Sequence, residues 1–164
     1  MTRLVFAVTV VLGGASLFVP APVAAQEDVA GVTGAAEAIF PGGATFNGLL
    51  LSGLTVGQGI FLAADGSAAG QFQAVLLGTS LLGTPQEVTV EGEVRTGFAP
   101  GDGTAAFSGT ATVDMGDGTP PLSGVPFTVS ASAGSVSLIL GATGLPTATV
   151  TAGSITIQLF GPAG

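Results

Sequence analysis

Hydrophobic and polar residues alternate along most of the chain with a period of two. In the segment from Glu87 to Arg95, Val88, Val90 and Val94 fall on one side with Gly92, and Glu87, Thr89, Glu91, Glu93 and Arg95 fall on the other. Successive side chains of a strand point to opposite faces, so this pattern predicts a half-buried β-strand. The same pattern sets Phe107, Gly109, Ala111, Val113 and Met115 against Ser108, Thr110, Thr112 and Asp114, and sets Val125, Phe127, Val129 and Ala131 against Pro126, Thr128, Ser130 and Ser132. Near the C-terminus Ala148, Val150 and Ala152 alternate with Thr147, Thr149 and Thr151. The phase then changes, and Ile155, Ile157 and Leu159 alternate with Ser154, Thr156 and Gln158. One apolar and one hydroxylated face is the mark of antiparallel strands with a single buried side.

Turn chemistry separates these runs. Asp65-Gly66 predicts a two-residue type I′ hairpin turn, because both central residues of that turn need positive φ. With those two residues as the turn, Phe61 stands opposite Gly70 and Phe72 opposite Gly59, so each ring covers a glycine. Further bends are expected at 99–103, 116–121, 133–134 and 144–146. Strands counted from Ala44 onward number about eight or nine, with no helical period among them. The expected fold is all-β, an antiparallel meander closed as a small β-barrel or packed as a two-sheet β-sandwich, with the barrel preferred because consecutive hairpins need no long crossings.

The N-terminus has a different character. Arg3, the apolar run from Leu4 to Val19 and the small-residue segment ending Val23, Ala24, Ala25 have the layout of a helical secretory signal peptide, residues 1–25, cut after Ala25. The run is shorter than the roughly 20 residues of a spanning helix and is softened by Gly13 and Gly14. Residues 26–36 carry Glu27 and Asp28 without a period and are expected to form a flexible acidic lead-in to one all-β domain at 37–164. A secreted product, extracellular, periplasmic or in the cell envelope, is the implied destination. The signal layout and the lysine-free, Ala/Gly-rich composition point to a bacterial source.

Composition removes many functions. The 164 residues contain no histidine, cysteine, tyrosine, tryptophan or lysine. The usual general base, thiolate nucleophile, Schiff-base amine and phenolic acid are therefore missing. Without cysteine there is no disulfide, and the core alone must hold the fold. After cleavage at Ala25, Arg95 faces ten acids, a side-chain charge of 1 − 10 = −9. Such a chain repels phosphate backbones, which excludes nucleic acid as a partner, and it repels anionic membrane surfaces.

The acidic turns are the remaining candidates for chemistry. DMGDGTPP, at 114–121, fails as an EF-hand loop: with Asp114 at position 1, position 3 is Gly116, position 5 is Gly118 and position 12 is Val125. It reads as turn chemistry, with Pro120 and Pro121 ending a ladder for want of an N–H. Asp102, Asp114 and Asp117 are weak metal-ligand candidates, which a meander would hold at opposite ends of the sheet. A carboxylate-dependent hydrolase would have to use a pair such as Glu91 and Glu93, which share a polar strand face. GTSLLG at 78–83 does not fit the G-x-S-x-G nucleophile elbow.

Two other readings rest on surface pattern. Thr110 and Thr112, then Thr147, Thr149 and Thr151, have the spacing of ice-binding threonine rows, but without a repeat to stack them. An outer-membrane barrel also alternates apolar and polar faces, with Phe160 near the C-terminus in its favour, yet the chain lacks the Tyr and Trp girdles of that class. The expected function is thus a non-catalytic structural or binding module, without cofactor or metal, that meets a protein, a polysaccharide or a small apolar ligand and leaves the membrane once its signal is removed.

Overall fold

A computed structural model describes residues 28–161, and the expected signal peptide lies outside them. Ten strands, and no helix among the described residues, form one antiparallel sheet. They are β1 (Asp28–Ile39), β2 (Thr45–Phe46), β3 (Leu49–Ala63), β4 (Ser67–Thr79), β5 (Pro85–Phe98), β6 (Thr104–Asp114), β7 (Leu122–Ser132), β8 (Ser135–Leu140), β9 (Thr143–Gly144) and β10 (Ala148–Leu159). From β3 to β8 each long strand pairs with the next in sequence. β1 then pairs with β10 on one edge and with β3 on the other, so the pairings return on themselves.

The alternation places the core. Val88, Val90, Val94, Phe107, Ala111, Val113, Phe127, Val129 and Ala131 are all buried, as their period predicts. Phe72 lies at the centre, stacked on Phe127 at 5.4 Å between ring centroids and tilted against Phe107 at 5.8 Å. Gly92 belongs to the inward row of β5, where a side chain would collide with the Phe127 ring: a Cβ there would come within 2.6 Å of a ring carbon. The gap in the valine row of β5 is therefore filled from β7. Gln58 is the polar intruder, since it shares the inward row of β3 with buried Val56 and Ile60, and both amide atoms are buried without a partner among the described residues. An unmatched buried amide of this kind costs on the order of 1–3 kcal/mol.

Three expectations need correction. Residues 28–36 are not a loose lead-in: they form most of β1, a strand paired on both edges. Its inward row is Ala30, Val32, Ala36 and Ala38, and side chains this small give a weak hydrophobic signal even when wholly buried. The β3–β4 hairpin is also one residue out of the expected register. Phe61 faces Ala69 and Phe72 faces Gln58, because the loop has three residues, 64–66. The Gly66 N–H donates to the Ala63 carbonyl at 3.1 Å and only Gly66 has positive φ, which is a type I turn closed by a left-handed residue. Asp65 instead accepts from the Ser67 N–H at 2.8 Å.

Two successive positive φ values occur instead at Asn47 (47°) and Gly48 (83°), joining β2 to β3 with Phe46 opposite Leu49. A slip of one residue sends a side chain to the other face, so Phe61 is exposed and Phe72 buried. The third correction concerns β10, whose change of phase has a local cause. Glu37 pairs with Ala152 but Ala38 with Val150, leaving Thr151 as the extra residue of a bulge. Ala152, expected inward, is consequently exposed.

Candidate functional site

The outer wall formed by β4, β5 and β6 carries most of the chemistry-bearing side chains. Glu91 sits in register between Gln73 and Thr112, and Glu93 between Gln71 and Thr110. A shallow hollow of about 310 Å³ is lined by Gln71, Glu91, Glu93, Thr110 and Thr112. A neighbouring hollow of about 190 Å³ brings Glu91 together with Thr89, Thr112, Asp114 and Pro121. Glu93 forms an ion pair with Arg95 at 2.9 Å, with both side chains more than half exposed. Glu91 and Asp114 thus meet at one hollow, which the strand spacing alone did not suggest.

This arrangement is poor for acid–base hydrolysis. Two-carboxylate catalysis needs one group kept as an acid by a sheltered pocket and the other kept ionised. Glu91, Glu93 and Asp114 are exposed on the outside of the sheet, where no such shelter separates their roles. Their chemistry is that of a hydrated acidic surface bordered by amides and hydroxyls.

The three metal candidates serve the turns. Asp102 Oδ1 accepts from the Thr104 hydroxyl at 2.5 Å and the Thr104 N–H at 2.9 Å. Asp117 Oδ1 accepts from the Thr119 hydroxyl at 2.6 Å and the Thr119 N–H at 2.9 Å. The threonine hydroxyl, then the backbone N–H, holds each of these carboxyls below the ordinary value. Asp114 accepts from the Gly116 N–H at 2.9 Å.

The repeated GDGT phrase is therefore a repeated turn in which aspartate caps the threonine two residues on. Asp102 lies between β5 and β6, whereas Asp114 and Asp117 lie at the other end of β6, so the sheet separates them as the meander requires. Among the described residues no three His, Cys, Asp or Glu side chains gather as a metal cluster.

The sequence reading overlooked two surface features. In GTSLLG, a tight turn from Ser80 to Thr84 presents Leu81 and Leu82, each 92% exposed. It is tied by Ser80 N–H to the Thr84 carbonyl at 2.9 Å and by a hydroxyl–hydroxyl bond between the same residues at 2.6 Å. The second feature is charge asymmetry. No Asp, Glu, Lys or Arg occurs after Asp117, so β7, β8, β9 and β10 form an uncharged wall. The signal was present in the sequence, but it acquires meaning only when those strands prove to be neighbours. The threonine rows do not combine: Thr110 and Thr112 lie on β6, apart from β10 by β7 and β8, and the Thr151 bulge interrupts the second row.

No protein-family model, no characterised protein and no solved structure matches this chain.

Proposed function

We propose that this chain is a secreted, non-catalytic β-barrel module that works in water through its outer walls and turns. The observation that carries the reading is the division of the sheet. Its inner side is apolar and packed around Phe72, while the strand interiors turn Thr, Ser, Gln and Glu outward. A lipid-facing barrel needs the reverse, with an apolar band at mid-height.

The exposed large hydrophobics do not form such a band. Ile39, Leu50, Phe61, Phe98, Leu122, Ile139 and Leu159 lie within three residues of a strand end, Leu81 and Leu82 lie in a turn, and Phe160 follows the last strand. No helix among the described residues is long and apolar enough to cross a membrane, a fact that says nothing about strands. The packed interior also argues against a small ligand held in a lumen. The mainly apolar hollows, one of about 260 Å³ beside Phe98, Ala106 and Phe107 and one of about 120 Å³ between Phe46, Met115, Leu122 and Leu140, both fall below the roughly 300 Å³ at which ligand sites begin. A protein or polysaccharide surface fits the outer walls better.

The test is behaviour without detergent. The chain lacking residues 1–25 is expected to elute from gel filtration as a soluble, non-aggregated species. Aggregation relieved only by micelles would overturn the water-facing reading. Export is tested separately: the mass of protein secreted from the full-length chain should correspond to cleavage after Ala25, and retention of residues 1–25 would count against secretion in this form.

A further inference from the structure

β10 leaves the pairing of the other long strands. On one side it is bonded to β1 from Ala30↔Leu159 to Ile39↔Thr149. On the other it meets β8 only at Ala148↔Val136 and Thr149↔Ser135, followed by a bond from the Val150 N–H to the Gly134 carbonyl at 3.0 Å. Beyond that point no described strand continues the ladder, because β8 has already turned into β7. Four successive residues, Thr151 to Ser154, are exposed, whereas a half-buried strand alternates.

Such an edge offers backbone donors and acceptors in strand spacing, which another extended strand satisfies. Natural edges are commonly blocked by lysine, proline or an inward charge. The segment from Ser154 to Leu159, SITIQL, has none of these and is rich in β-branched residues. The bulge at Thr151 bends the edge before Ser154, and the turn at Gly101 approaches Leu159, where a Cβ on Gly101 would lie 3.6 Å from the leucine side chain. Ser154 to Gln158 is the stretch left for pairing.

We propose that this edge pairs antiparallel with the same edge of a second copy, about a twofold axis near Thr156. Charge selects the partner. Glu87, Glu91, Glu93 and Asp114 lie on the β4–β6 wall, so copies approaching through it repel, while β10 carries no carboxylate and Glu37, on the neighbouring β1, stands opposite Ala152, outside the stretch from Ser154 to Gln158. A twofold contact is self-complementary, and an uncharged strand meets its own copy without like charges opposed.

The inference rests on the water-facing reading, and one set of measurements separates the two. In sedimentation of the chain lacking residues 1–25, a monomer–dimer equilibrium is expected that strengthens as salt screens the acidic walls. Thr156→Glu should weaken dimerisation by at least about tenfold while leaving the circular dichroism unchanged, since it opposes like charges at the axis. In this cysteine-free chain Thr156→Cys should be captured as a disulfide dimer and Thr110→Cys, on the acidic wall, should not. A soluble monomer at every concentration would overturn the pairing and leave the water-facing reading standing. A dimer indifferent to Thr156→Glu, or captured equally through Thr110→Cys, would also overturn it. Aggregation relieved only by detergent would remove both.

Discussion

β5 is bonded to β4 on one edge and β6 on the other and turns Glu87, Glu91, Glu93 and Arg95 to water, whereas β10 is bonded on one edge past Val150 and exposes hydroxyls, an amide, small residues and, at its end, Leu159. Both strands feed one core, β5 with an unbroken inward row from Val88 to Val94 and β10 with a row that shifts phase at the Thr151 bulge. The difference teaches that the inner face of this sheet specifies the fold, and that the outer face is free to be acidic on one wall and neutral on the other. On the proposed pairing, charge keeps the first wall apart from its copies. The second has neither charge nor a complete ladder.

The largest effect is expected where the walls share their core. Phe72→Ala removes the ring that stacks on Phe127 and should cost about 3–5 kcal/mol in denaturant unfolding, with both walls lost in one transition. A separate, earlier loss of the β10 wall would break the picture of a common core. Next comes Gly92→Ala, whose Cβ would stand 2.6 Å from the Phe127 ring and should cost about 1–3 kcal/mol. Gly57→Ala is the control, because a Cβ there meets nothing within 4 Å. Its unfolding free energy should change by less than about 1 kcal/mol.

Much of this architecture was legible in the chain. The rows of β5, β6 and β7 followed from period two, since Val and Phe on one side and Thr and Glu on the other leave little choice of face. β1 was hidden because its inward side chains are mostly alanine and its start is acidic. The register at Asp65-Gly66 depended on whether one or two residues adopt positive φ, a choice the dipeptide does not decide. Separation of Asp102 from Asp114 and Asp117 was deducible from the meander, whereas the meeting of Glu91 with Asp114 at one hollow required the diagonal between β5 and β6. The free edge of β10 was not legible at all: it depends on β8 being too short to accompany β10, and pairing between distant segments leaves no trace in local alternation.

Smaller effects sharpen the contrast between the walls. The double change Glu91→Gln and Glu93→Gln should shift stability by no more than about 0.5 kcal/mol, as expected for exposed positions. It should nonetheless reduce the salt dependence of self-association, read by sedimentation at low and high ionic strength. An unchanged salt dependence would show that this wall does not provide the repulsion. The smallest change concerns the turns. A carboxyl depressed in the folded state adds stability above its ordinary value of 3.8, which is lost as pH falls through the lower folded value. Thr119→Val removes the main cause of the depression at Asp117, so its titration followed by NMR should move up toward 3.8. The Thr119 N–H, still in place, should keep it from a full return.

The central claim, that valines and phenyl rings face inward and hydroxyls face water, is tested most directly by thiol accessibility in a chain with no cysteine of its own. In the native protein without detergent, Thr110→Cys should react at once with a charged thiol reagent, and Val90→Cys should stay unreactive until the chain is unfolded. Rapid labelling of Val90→Cys with protection of Thr110→Cys would contradict the account.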